Sequence, residues 1–276
     1  MTTEASVTVR GAGGLRQAVR DGLIIGGRNL KRVPRIPELA IFAILQSIMF
    51  VLLFAYVFGG AIPLPGGGSY REFLIPGIFA QTVVFAAATT AVGICEDINK
   101  GLMDRFRSLP MSRSAVLSGR AIFDVVYQFG ILIVLMLTGI VVGWWVNTGV
   151  LEFLAGVGLL LLFVFAMSWV GIWLGTMVPT VEVANQFAFT VILPVTFLSN
   201  VFVPPETLPG VLEPLAEWNP TSSLTASLRN LWGNPNPYGS ESFAAEQPVI
   251  LTLIWVAVID GIFAPLAVAR FRSLSR

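Results

Sequence analysis

The sequence predicts an all-α integral membrane protein of six transmembrane helices, with both termini on the cytoplasmic side. Three observations predict it. The 276 residues are 55% hydrophobic and only 12% charged, where a soluble domain carries about 25% charge. Runs 39–70, 73–95, 153–181 and 183–205 are free of charge, and 121–151 and 247–269 hold one acid each, Asp124 and Asp260; all six are long enough to cross a bilayer as helices. Of the 17 Lys and Arg residues, only Arg71 and Arg229 fall on the outer side of the implied topology, and such a bias marks the cytoplasmic loops. Membrane strands would need short segments of alternating polarity, and the runs do not alternate.

The elements follow in order. Residues 1–14 are small, polar and Gly-containing and are predicted to be a disordered tail. Residues 15–36 predict an amphipathic helix lying in the membrane interface. Leu15, Val19, Leu23 and Leu30 share one face, Arg16, Arg20, Lys31 and Arg35 fall mostly opposite, and Ile24 breaks the pattern. A solvated lead-in that only sets topology is the alternative. This region holds no apolar core of signal-peptide length, so no cleaved leader is expected. Pro34 and Pro37 end the helix and restart the chain. Residues 37–276 then form a single six-span domain, with spans near 38–58, 73–95, 121–143, 152–177, 185–203 and 248–269. The Gly- and Pro-rich loop 59–72 lies outside and loop 96–120 inside. The uncharged outer turn 144–150 carries Trp144 and Trp145, which suit the headgroup region. Arg270, Arg272 and Arg276 hold the C-terminus inside. No internal repeat is visible, which argues against carriers built from related halves.

The inner loop is the part most able to carry function. A helix from Gly101 to Leu109 would set Leu102, Phe106 and Leu109 on one side, with Asp104 and Arg107 paired three residues apart and Pro110 closing it. Such a helix is a docking surface, its apolar edge for a partner's groove and its charges for register; a plain inside-positive connector is the alternative. The outer segment 204–247 is broken by Pro204, Pro205, Pro209, Pro214 and Pro220. Leu208, Val211, Leu212, Leu215 and Trp218 recur at near-helical spacing, so this piece is expected to dip into the outer leaflet or cap a pathway. Asp260 falls in the middle of the last span, where a lone charge costs about 2.5–3.5 kcal/mol on insertion scales. It is expected to contact substrate or a proton, or to bond another helix. Asp124 is expected near the inner interface. Gln46, Gln81, Gln128, Asn185, Gln186 and Asn200 read as glue between helices.

Other chemistries are excluded. No G-x-x-x-x-G-K-[ST] cradle for phosphate occurs. The absence of His removes His-based zinc sites and Ser-His-Asp triads. Both lysines, Lys31 and Lys100, fall outside the spans, and the lone Cys95 has no partner for an internal disulfide. A net charge of +1 gives no case for nucleic acid. The chain is therefore not expected to be an enzyme.

Two blocks carry a resemblance. The inner loop reads Glu96-Asp97…Gly101-x-x-Asp104-Arg105-Phe106-Arg107…Pro110…Arg113. The outer block reads Leu198-Ser-Asn200-Val-Phe202-Val-Pro204-Pro-Glu-Thr-Leu208-Pro209, then Trp218-Asn219-Pro220 and Leu228-Arg229. Together they resemble the type-2 ABC transporter permeases, in particular the daunorubicin-resistance-like branch of drug and lipid exporters, over nearly the whole chain. Asp104 stands where that family usually has Glu, which keeps the carboxylate and shortens its reach. The resemblance implies a coupling helix in the inner loop, seated in a cleft of a separate P-loop ATPase present in two copies. Glu96, Asp97, Gly101, Asp104, Arg105, Phe106, Arg107, Pro110 and Arg113 would form the coupling surface. It also implies two short re-entrant helices in the outer segment and a second permease chain, identical or related. No cofactor would bind this chain, ATP and Mg belonging to the ATPase. The cargo would be a hydrophobic or amphipathic drug, lipid or glycolipid, exported across the plasma (inner) membrane. Asp260, Asn200 and Phe202 are candidates for the pathway or for helix contacts. An excess of Arg over Lys, 15 to 2, goes with GC-rich bacterial genomes. An ion-coupled carrier or channel using Asp260 is the alternative.

Overall fold

The apolar runs fold as helices. The computed structural model describes residues 37–58, 64, 67–101, 113–237 and 242–273, and among these the regular structure is wholly helical. The elements are α1 (Pro37–Leu53, continued by a π turn, Phe54–Phe58), α2 (Tyr70–Asn99), α3 (Arg113–Val142), α4 (Val150–Met177) and α5 (Val181–Phe197). After a 3-10 turn, Pro205–Thr207, come α6 (Leu212–Glu217), α7 (Pro220–Trp232), the single turn α8 (Phe243–Glu246) and α9 (Pro248–Ser273). Four stretches are long and apolar enough to cross a membrane: Tyr70–Asn99, Leu117–Val142, Val150–Met177 and Pro248–Phe271. The apolar helices around Ile44–Val57 and over Val181–Phe197 are shorter. The expected interface helix 15–36 lies outside the described residues, as does the inner loop from 102 to 112.

Helix α2 is the axis of the molecule. It packs most extensively against α4 and also touches α1, α3, α5 and α7. The α2–α4 seam is close because both sides are small. Gly171 and Gly175 of α4 face Ala87 and Ala91 of α2, and a Cβ at Gly175 would lie 2.5 Å from the Ala91 carbonyl oxygen. A Cβ at Gly171 would strike the carbonyl of Ala87 in the same way. Small residues four apart let helix backbones meet without a hydrophobic driving force, which lipid does not supply.

The structure corrects one expectation and adds detail to two others. The helix expected to run to 203 stops at Phe197, three residues after Pro194. The turns that follow are tied down elsewhere: Asn219 Nδ2 donates to the carbonyls of Val195 and Leu198, at 2.8 and 2.6 Å. Next, the apolar residues of the outer segment, expected to dip into the outer leaflet or cap a pathway, are exposed among the protein's own atoms. Val211 is 79% exposed, Leu215 57% and Trp218 50%. The element driven into the core is the hydroxyl-rich α7, with Leu224, Leu228 and Trp232 fully buried. Its Ser and Thr can be buried because they bond their own helix: Thr225 donates to Thr221 O at 2.8 Å and Ser227 to Ser223 O at 2.7 Å. Asn219 caps α7 through Thr221 N–H at 2.8 Å, Pro220 follows, and Gly233 ends it at φ +66°. Finally, the tryptophan pair splits. Trp145 is exposed, but Trp144 is buried edge-on against Phe79 and Trp232 and donates to Asn234 Oδ1 at 2.9 Å. Turn 143–149 is thus stitched to the end of α7, with Asn147 N–H on Trp232 O and Thr148 Oγ1 on Leu231 O.

Candidate coupling site

The C-terminal end of α2 and the N-terminal end of α3 flank the loop that the motif singles out. Helix α2 ends at Asn99; Lys100 N–H reaches Glu96 O at 2.9 Å, and Gly101 turns the chain away at φ +65°. Glu96 pairs with Lys100 at 2.7 Å on the exposed face, a contact of little energetic weight in water. Asp97 faces inward, toward α3. Asp104, Arg105, Phe106, Arg107 and Pro110 lie outside the described residues. Arg113 opens α3, and its side chain also lies outside them.

Behind the loop is a polar cluster that the sequence reading did not find. Arg120 of α3 donates from Nε to Asp124, at 3.0 Å to Oδ1 and 3.3 Å to Oδ2. Thr90 of α2 donates from Oγ1 to Asp124 Oδ2 at 2.8 Å. Arg120 Nη1 lies 3.9 Å from Asp97 Oδ2. The side chains of Arg120, Asp124 and Asp97 are 13%, 8% and 16% exposed, so Asp124 is enclosed by protein. Thr90, Gly93 and Asp97 lie along one face of α2, and a Cβ at Gly93 would overlap the Arg120 guanidinium. A side chain there would close the slot the guanidinium occupies. The one readable trace in the sequence was Arg120 four residues before Asp124.

The next inner turn docks on the same helix end. Asn99 Nδ2 donates to Pro179 O at 3.4 Å, and the Cys95 thiol points at Val178 O at 3.7 Å. Thr180 then caps α5 through Val183 N–H at 3.3 Å. The root of the inner loop is therefore wired to α3 through charge and to α5 through the 178–180 turn.

The other candidates sit elsewhere. Asn200 and Phe202 come together around a buried arginine near the first turns of α2, at the end away from Gly101. Arg229, 1% exposed, donates from Nε to Phe73 O at 2.8 Å and from Nη2 to Asn200 O at 2.9 Å and Val201 O at 3.3 Å. Its guanidinium lies 3.5 Å over the Phe73 ring. Tyr70 OH donates to Phe202 O at 3.1 Å, and the Phe202 ring stacks on Phe54 and Phe197. Asp260 on α9 is half-buried, and its Oδ1 has no hydrogen-bond partner among the described residues. No described bond links it to Asn200 or Phe202. The described residues contain no cluster able to hold a metal.

Residues 22–231 match the ABC-2 type transporter family model. The chain is 31% identical over 246 residues to the "Daunorubicin resistance ABC transporter permease protein DrrB1" of Streptomyces coeruleorubidus, covering 89% of this chain and 84% of that protein. It is 25% identical over 268 residues to the "Probable doxorubicin resistance ABC transporter permease protein DrrC" of Mycobacterium tuberculosis, covering 94% and 91%. It is 23% identical to the "Putative transport permease ycf38" of Cyanophora paradoxa over 78% and 75%. The chain belongs to the ABC-2 type transporter family, as a multi-pass membrane permease subunit whose ATP is hydrolysed on a separate ATPase subunit.

Proposed function

We propose that the protein exports an amphipathic, drug-like molecule of doxorubicin's kind, or a lipid or glycolipid, outward across the bacterial plasma membrane. The observation that carries this reading is the pairing of the family match with a surface poor in charge: α1, α3, α5 and α9 present Phe, Leu, Ile and Val outward. A lipophilic cargo suits such walls better than an ion does. Membership of an ATP-driven family leaves the ion-coupled alternative without a role, and Asp260 serves as a helix contact or a polar point on the path. Asn200 and Phe202 serve as helix contacts.

Six spans with both ends inside fit the four long helices plus α1 and α5, since an even number returns the chain to its starting side. Residues 37–276 form one permease domain, preceded by the tail 1–14 and the interface helix 15–36. Helices α6 and α7 make up the re-entrant outer segment. Two permease chains, identical or related, work together. Helix α5 supports this: it packs mainly on α2 and leaves Asn185, Gln186 and Thr190 exposed among apolar side chains, polar groups that cost free energy against lipid tails and gain partners against protein. Two ATPase copies seat the loop that follows Gly101, with Glu96, Asp97, Gly101, Asp104, Arg105, Phe106, Arg107, Pro110 and Arg113 as its coupling residues.

The test reverses charge at Asp104 or Arg105. Asp104→Arg and Arg105→Glu should insert at normal levels, lose the ATPase on affinity purification and lose ATP-driven doxorubicin efflux. Normal partner binding and efflux in both variants would refute the assignment of the loop.

A further inference from the structure

We infer that Arg120, held between Asp124 and Asp97, is a positioning residue that makes α2 and α3 respond as one lever when the ATPase displaces the loop between them. The inference rests on the coupling role proposed for that loop, and it concerns residues outside the loop motif. A flexible loop joining two helices can absorb a push by splaying them apart. Splaying is opposed here by bonds that cross the gap behind the loop. Asp124 accepts from Thr90 on α2 and from Arg120 on its own helix, while Arg120 also faces Asp97 on α2. The guanidinium rests against the bare backbone at Gly93, where a Cβ would crowd it. Truncating one partner of such an enclosed group leaves the others unsatisfied, so the arrangement resists partial opening. Helix α2 is in turn pressed on α4 by the glycine seam and carries α5 through the 178–180 turn. A displacement received at the loop root therefore reaches α5 without being lost between α2 and α3.

The experiment uses the permease with its ATPase in membrane vesicles and reads a signal that needs no known cargo. Glu182→Cys, a charged and exposed position in the first turn of α5, reports labelling by a membrane-impermeant maleimide, with and without ATP. Arg120→Met in that background should keep the bound ATPase and its basal hydrolysis. The ATP-dependent change in labelling should fall by about fivefold or more, the lower end of a coupling free energy between sites. Arg120→Lys should recover part of the response. Gly93→Ala, which leaves every charge in place and only crowds the guanidinium, should also reduce the response; it keeps the test available if Arg120→Met fails to fold. A merely structural role would lower bound ATPase, hydrolysis and response together, in proportion to folded protein, and that outcome overturns the inference. Asp104→Arg in the same vesicles separates the two readings. If it retains the ATPase, the coupling loop fails and takes the inference with it. If it loses the ATPase while Arg120→Met and Gly93→Ala respond normally, the inference alone fails.

Discussion

Replacing Arg229 by Met should unfasten the outer half of the molecule. The guanidinium serves three carbonyls from two segments, Phe73 on α2 and Asn200 and Val201 in the turns after α5, and it lies on the Phe73 ring. Met has a similar length and no donor, so all three carbonyls lose their bond while little volume is lost. The bonds at 2.8 and 2.9 Å are charge-assisted, at about 1.5–3 kcal/mol each, and the one at 3.3 Å is weaker. The ring contact adds about 2 kcal/mol when desolvated. Against this, the variant no longer has to strip water from a cation, a cost of several kcal/mol. A net loss of about 3 kcal/mol remains, roughly a hundredfold in the folded-to-unfolded ratio. On the scale of soluble domains of about this size, that lowers the melting temperature by about 6–10 °C. Thermal denaturation of the purified protein in detergent, followed by the monodisperse fraction on size exclusion, measures it. Arg229→Lys should fall between, since one ammonium cannot fork to carbonyls on both segments. If Arg229→Met melted within about 2 °C of the parent, the arginine would not be the fastening its geometry describes.

Three further outcomes follow from packing. Gly175→Leu should force α2 and α4 apart and cost about 2 kcal/mol or more, because the space is filled by a backbone oxygen that cannot rotate away; its yield of folded protein after membrane extraction should drop sharply. Trp232→Ala removes the ring that meets Phe79, Trp144 and Phe153 and should cost about 3–5 kcal/mol, read as a lower midpoint in detergent-compatible chemical denaturation. Lys100→Ala breaks only the exposed pair with Glu96; it should change stability by less than about 0.5 kcal/mol and leave ATPase capture unchanged, and a large loss would show that Lys100 itself contacts the partner.

The membrane helices were legible because hydrocarbon imposes a coarse rule: about 20 apolar residues per crossing and basic residues kept inside. The contacts between helices were not, because they follow rules that composition hides. Helix α7 looks like a polar loop segment, with Thr221, Ser222, Ser223, Thr225 and Ser227 in one short stretch. Ser223, Thr225 and Ser227 turn their hydroxyls onto their own backbone, Ser222 Oγ accepts from Asn200 N–H, and the helix becomes core. Trp144 and Trp145 are adjacent and identical in type, so no propensity separates the buried one from the exposed one; the distant Asn234 does. Arg229 was readable as one of two outer cations, but its partners are backbone carbonyls far away in sequence, which have no residue-type signature. Asp124 was readable as lying near the inner interface, but its Thr90 partner, 34 residues away and 2.8 Å distant, was not. The spacing Gly171-x-x-x-Gly175 was not singled out either, because one helix alone does not say which partner its small face meets.

That glycine seam has a genetic consequence. Every missense change at Gly171 or Gly175 adds atoms, and at both positions the first atom added meets a main-chain oxygen of α2. Neither position has a neutral neighbour in sequence space, whereas the outward Leu, Ile and Val of α9 can exchange among themselves with little effect on packing. A saturation library of this chain should therefore be intolerant in a narrow band along α4 and permissive on its outward faces. Drift in cargo preference would then have to come from the walls of the molecule and not from its axis.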